Sequence, residues 1–370
     1  MFRSGFRAAL LAAVASLGLA HAAQARPVVE VAFVLDTTGS MANLIEGAKR
    51  KIWSIATTIL DANPDAELRM ALIAYRDIGD EYVTKVFPLT TDIQEIYARL
   101  LALRAQGGGD WPESVNEALD KAVTGLSWSQ EARDDRIVFL VGDAPPHMDY
   151  KQDRKYPAIV ADARARAIVV NAVQAGAARD TERVWREIAQ RGGGRYIPIP
   201  QDGGEIVVIE TPYDEEIVIL QKRINETIIP YGDHSRQDAV RKKADQIKAA
   251  SPSTASDLAG YMSRAGKGRE AVTGEGDLVA DVTQGRRKLE SVPVDQLPAP
   301  MQSLDAQARR AYLDRREAER AELSKKMAEL VARRDAFTRE KREAMLRAPG
   351  ARKDSFDATV SETLRAQIRR

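Results

Sequence analysis

The chain has no cysteine in its 370 residues. That excludes disulfides, thiolate metal sites, thiol catalysis and a lipid-modified cysteine anchor. Histidine is nearly as scarce: there are 3, too few for a histidine-based metal site. Neither sign of charge prevails, with 55 Lys+Arg against 54 Asp+Glu, so no basic excess points to nucleic acid. Long apolar runs are missing except for Ala8 to Ala20, which is too short to span a bilayer comfortably.

That one run has the form of a secretory signal. Arg3 and Arg7 precede it, and Ala23-Gln24-Ala25 offers a small-residue cleavage site before Arg26. Residues 1–25 are therefore expected to leave the chain on export. The mature protein, periplasmic or secreted from a bacterium, would keep no stable membrane span.

The remaining sequence changes character at Gly232. Before it, apolar strands alternate with amphipathic helices. Val28 to Leu35 is nearly continuous apolar, as a strand buried on both faces should be. Leu44, Ala48, Ile52, Ile55 and Ile59 then recur at helical spacing. Strands are expected over Leu68 to Tyr75 and Tyr82 to Leu89, joined so briefly that they should pair antiparallel. Further strands are expected over Arg136 to Gly142, Ala167 to Val173 and Arg195 to Ile199, with helices between them and a closing helix over Asp214 to Ile228. This alternation implies an α/β fold, a doubly wound, mostly parallel sheet flanked by helices, filling residues 26–231 as one domain with a complete core.

After it, residues 232–300 read as short helical pieces and linkers. Gly266-Lys267-Gly268 and Gly274-Glu275-Gly276 lack the strand–loop–helix setting of a phosphate loop and read as flexible joints. Residues 301–370 contain a long charged helix. Leu323, Met327, Leu330 and Phe337 lie along one side of it, which makes it either a solvated helix or one strand of a hairpin or coiled coil able to self-associate.

The chemistry concentrates at three acidic positions. Asp36-Thr37-Thr38-Gly39-Ser40 closes the first strand and puts one carboxylate and two hydroxyls, those of Thr38 and Ser40, in one tight loop. These are hard oxygen donors, suited to Mg²⁺ or Mn²⁺ rather than Zn²⁺. Asp143 ends the strongest later strand, and Asp110 follows the run Gly107-Gly108-Gly109. Ligands of open α/β sheets sit beyond the carboxyl ends of the strands, and three carboxylates gathered there repel one another unless a cation is bound. Each position also has a plainer reading. The Asp36 loop is a strand end and helix cap, Asp110 with Glu113 fits a capping box, and Asp143 precedes a Pro-Pro turn. His147 reads as structural or as a hydrogen-bonding neighbour of the site, and Trp111 either as a partner contact or as packing under the glycine loop.

Together, the motifs Asp36-Thr-Thr-Gly-Ser-Met41, Ala74-Tyr-Arg-Asp77, Gly107-Gly-Gly-Asp-Trp-Pro-Glu113 and Asp143-Ala-Pro-Pro-His147 resemble the von Willebrand factor A domain over about Val28 to Ile228. The resemblance implies a metal-ion-dependent adhesion site: Asp36, Thr38 and Ser40 on Mg²⁺, and Asp110 and Asp143 acting directly or through water. Asp110 departs from the pattern, which usually has Thr there. It further implies a protein partner at the metal face, with an acidic group completing the coordination, and a final helix that shifts in some members. A Mg²⁺-dependent hydrolase and a helical scaffold with a structural α/β domain are the competing functions. No nucleophile–base pair or two-metal cluster supports the hydrolase.

Overall fold

The computed structural model describes residues 26–204, 208–265, 270–347 and 356–369. The secretory leader expected over 1–25 and the Gly266-Lys267-Gly268 triplet lie outside them.

The first two hundred residues run β1 (Val28–Asp36), α1 (Ala42–Ala62), β2 (Glu67–Tyr75), β3 (Thr84–Thr90), α2 (Ile93–Ala102), α3 (Val115–Thr124), β4 (Asp135–Gly142), α4 (Tyr156–Ala165), β5 (Ile168–Ala175), α5 (Arg179–Arg191) and β6 (Gly193–Ile199). The six strands form one sheet in the order β3-β2-β1-β4-β5-β6. All neighbours are parallel except β2 and β3, which pair antiparallel from Tyr75↔Thr84 to Met70↔Thr90. The short connection between β2 and β3 allows no crossover helix and forces that direction.

β1 and β4 lie at the centre, which is why their sequences are almost wholly apolar: every residue of β4 is buried. Side chains alternate between two layers. Val29, Val31 and Leu35 face α1 and α2, where Trp53 and Ile59 are fully buried. Ala32 and Val34 face α3, α4 and α5, where Trp185 is fully buried. β6 begins earlier than Arg195, at Gly193, because its backbone passes so near β5 that a Cβ at Gly194 would lie 2.2 Å from the Val170 carbonyl oxygen.

The chain continues as α6 (Asp214–Glu226), α7 (His234–Ala249), α8 (Pro252–Arg264), α9 (Leu278–Thr283), α10 (Ala299–Gln302), α11 (Ala306–Arg347) and α12 (Phe356–Gln367). Of these helices, α8 and α12 pack directly onto α1, and α11 packs on α6 and α8. Tyr261 of α8 meets Trp53 of α1 with ring centroids 5.6 Å apart, and Val360, Leu364 and Ile368 join the same core from the far end of the chain. The apolar side of α11 is covered within the molecule: Leu323, Met327, Leu330 and Val331 pack with Ile217, Leu220 and Ile224 of α6. Arg334 sits between Asp214 at 2.7 Å and Asp257 at 2.8 Å. The Gly274-Glu275-Gly276 triplet is pinned rather than loose: the Gly276 N–H donates to Asp281 Oδ2 at 2.9 Å, and its carbonyl accepts from Tyr231 N at 3.0 Å. None of the described helices is long and apolar enough to cross a membrane.

Candidate functional site

The chain turns from β1 to β2 on one side and to β4 on the other, so the carboxyl ends of β1 and β4 form the switch point of the sheet. Asp36 ends β1 there and Asp143 directly follows β4. Both are buried, Asp36 completely. The loop after Asp36 folds back on it. Thr38 donates to Asp36 Oδ1 from its backbone N–H at 2.8 Å and from its hydroxyl at 2.7 Å, and Ser40 Oγ lies 3.4 Å from Thr38 Oγ1. Asp36 Oδ2 is buried without a hydrogen-bond partner. Asp143 Oδ2 accepts from Gln201 Nε2 at 2.6 Å, and its backbone carbonyl accepts from Thr181 Oγ1 at 3.0 Å.

The Ala74-Tyr-Arg-Asp77 stretch braces this loop. Tyr75 O accepts from both the N–H and the hydroxyl of Thr37. Buried Arg76 donates to Thr37 O at 3.2 Å and to Arg104 O at 2.8 Å, tying the β1 loop to the segment before the glycines. Gly39 N then reaches Gly107 O at 3.2 Å. Gly142 keeps the crevice open: a Cβ there would stand 2.3 Å from the Tyr75 hydroxyl and 3.2 Å from Asp36 Oδ2.

Glu113 is the residue that sequence reasoning placed elsewhere. The capping box does not form: α3 starts at Val115 behind Ser114, beyond reach of Asp110 as a cap. Instead Glu113 bridges to the loop after β4, with its N–H on Pro145 O at 3.0 Å and its carbonyl accepting from His147 N at 3.1 Å. Its carboxyl is buried, and Oε2 has no partner. Burial above all, then the charges of Asp36, Asp77, Asp80 and Asp143, pushes Glu113 up to about 9. Asp36 is pushed up to about 7, chiefly by burial, with Asp143 adding and Thr38's hydrogen bonds opposing. With no cation present, the crevice therefore holds protons where it would otherwise hold charge.

Asp110 is placed beside His147. It is exposed, and its Oδ2 lies 3.5 Å from His147 Nε2. Buried Asp77 joins the pair: its Oδ2 is also 3.5 Å from His147 Nε2, and the three ligand atoms lie within 4.8 Å of one another. Asp77 is held by Ser114 Oγ at 2.8 Å and by the Tyr150 hydroxyl at 2.7 Å. Trp111 is half exposed, with Nε1 donating to Asp180 at the start of α5. Of the five expected metal residues, Asp36, Thr38, Ser40 and Asp143 thus come together at the β1–β4 crevice, and Asp110 goes to a neighbouring cluster.

The fold and the crevice define an α/β domain with an oxygen-lined site at its switch point. Residues 30–208 match the sequence profile of the von Willebrand factor A domain, and this part of the chain belongs to that family. A protein of Acanthamoeba polyphaga mimivirus, described as an ariadne-like RING finger protein, is 30% identical over 120 residues; the alignment takes in 32% of this chain and 11% of that one. Among solved structures, the SpRpn10 VWA domain is 12% identical with a TM-score of 0.36, covering 48% of this chain and 89% of its own. The conserved hypothetical protein BatB from Bacteroides thetaiotaomicron is 15% identical with a TM-score of 0.33, covering 60% of this chain and all of its own.

Proposed function

We propose that this is an exported binding protein whose β1–β4 crevice takes a Mg²⁺ or Mn²⁺ ion and presents it to a protein partner. Asp36, Thr38, Ser40 and Asp143 would hold the ion. The observation that carries the reading is Asp36 Oδ2: a carboxylate oxygen buried without a hydrogen-bond partner, in a crevice shared with Asp143. Such an orphan costs free energy unless something cationic meets it. The donor set is all oxygen, and Gly142 leaves the room that a side chain would fill. Ser40 is exposed, so the ion would face outward to a partner. Half-exposed Trp111 lies on the same edge and would contact the partner. The apolar side of α11 is already covered by α6, so the partner surface is assigned to the metal face rather than to that helix.

The test is capture from bacterial envelope extract. Wild type in Mg²⁺ should retain a partner that chelator releases and that Asp36→Ala fails to retain. In parallel calorimetry, Asp36→Ala should weaken Mg²⁺ binding by at least about tenfold, roughly 1.4 kcal/mol. Capture by wild type in chelator, or by Asp36→Ala, equal to that by wild type in Mg²⁺ would overturn the reading.

A further inference from the structure

The cluster beside the crevice has a different chemistry. We propose that Asp77, Asp110 and His147 form a second metal site, selective for a borderline transition ion of the Zn²⁺ class. This site is separate from the oxygen-lined crevice and does not depend on that crevice binding Mg²⁺.

Three observations converge. The first is an orphan nitrogen: His147 is 6% exposed, and its Nε2 is buried with no hydrogen-bond partner. A buried imidazole nitrogen without a partner is uncommon. The second is where that nitrogen points. Its nearest acceptors, Asp77 Oδ2 and Asp110 Oδ2, both stand at 3.5 Å. That is beyond an ordinary N–H···O bond, which is about 2.9 Å. It matches the edge of a tetrahedron around Zn²⁺, where ligands about 2.1 Å from the ion lie about 3.4 Å apart. An imidazole nitrogen beside two carboxylates suits a zinc-class ion better than Mg²⁺, which takes oxygen ligands.

The third is the support behind each ligand. His147 Nδ1 lies 2.8 Å from Asp149 Oδ1, and the ring stacks on Tyr150 with centroids 3.9 Å apart and planes 8° from parallel. A carboxylate on Nδ1–H fixes the tautomer that leaves the Nε2 lone pair free, as second-shell carboxylates do behind metal-bound histidines. Asp77 is oriented by Ser114 and Tyr150, so two of the three ligands are positioned before any ion arrives. Asp110 is the exposed third: its side chain is 61% exposed. Three protein ligands leave a fourth position open to water or to a donor from outside. A site using one histidine is within reach of a chain that has only 3.

The experiment is a Zn²⁺ titration of the full chelator-stripped chain by calorimetry, in excess Mg²⁺. Wild type should bind one Zn²⁺ saturably. Asp110→Asn, at an exposed position that the fold does not need, should weaken it at least about tenfold, the scale set even by second-shell ligand changes. His147→Ala should abolish it. Ser40→Ala, in the neighbouring loop, should leave Zn²⁺ binding in place. Co²⁺ substituted for Zn²⁺ should give the intense visible bands of a tetrahedral site, lost in Asp110→Asn. The proposal is overturned if wild type shows no saturable Zn²⁺ binding, if Asp110→Asn binds as wild type does, or if Ser40→Ala removes Zn²⁺ binding, which would place the ion in the crevice instead.

Discussion

Two buried acids make the metal-free molecule sensitive to alkali. Glu113 is pushed up to about 9 and Asp36 to about 7, both by burial first. In the unfolded chain they would titrate near 4. Above that range the unfolded state has released protons that the native state still binds, so stability falls as pH rises. The loss should run through about pH 7 for Asp36 and continue to about pH 9 for Glu113. Thermal melts in chelator should therefore drop steadily from about pH 5 to about pH 9. Glu113→Gln should flatten the upper part and Asp36→Asn the middle. Profiles for Glu113→Gln that stay parallel to wild type would show that the Glu113 carboxyl is not the titrating group. Asp36 and Asp143 are legible in the sequence because each closes an apolar run, and strand ends are where such sheets place their chemistry. Glu113 beside Asp36, and Asp110 beside His147, are not legible. Their positions follow from the bridge between Glu113 and the Pro145–His147 backbone, and two irregular loops meeting leave no periodic mark.

At the scale of elements, the order of strands and helices was readable because burial on both faces makes β1 and β4 almost wholly apolar, while α1 repeats every three to four residues. The end of β4 carries a sharper constraint than its pattern reveals. Gly142 lies under both the Tyr75 hydroxyl and Asp36, and Trp185 Nε1 donates to its carbonyl at 3.2 Å. Gly142→Ala should destabilise by about 1–3 kcal/mol through overpacking, seen as a lower midpoint in urea. It should also displace Asp36, which at the proposed Mg²⁺ site would show in calorimetry as weaker binding. α11 was legible as a long helix, but not its cover. A seam of Leu323, Met327 and Leu330 reads the same whether its neighbour is α6 or another chain.

The whole molecule is tied across its length. Thr58 and Ser361 hydroxyls meet at 3.2 Å, and Asn171 and Gln367 exchange two side-chain hydrogen bonds at 2.9 and 2.8 Å. Leu364 is fully buried against α1. Leu364→Ala should cost about 2–5 kcal/mol, read by denaturant unfolding, and should lower the single transition of the whole chain rather than split off a separate one. A second, unshifted transition would show that the α/β unit stands without α12. The sequence gives no hint of this docking, because α12 is amphipathic in the ordinary way and nothing local names its partner 300 residues earlier.

That closure also imposes an order on biosynthesis. The face of α1 that receives Val360 and Leu364 is made early, and its cover is made among the last residues described. On a ribosome adding about 5–20 residues per second, the apolar face waits for roughly 300 further residues, some tens of seconds. For that interval the nascent chain has a sheet that can form and an outer layer that cannot, the kind of sticky surface that holding chaperones recognise. A chain cut short before α12 would keep that surface for good.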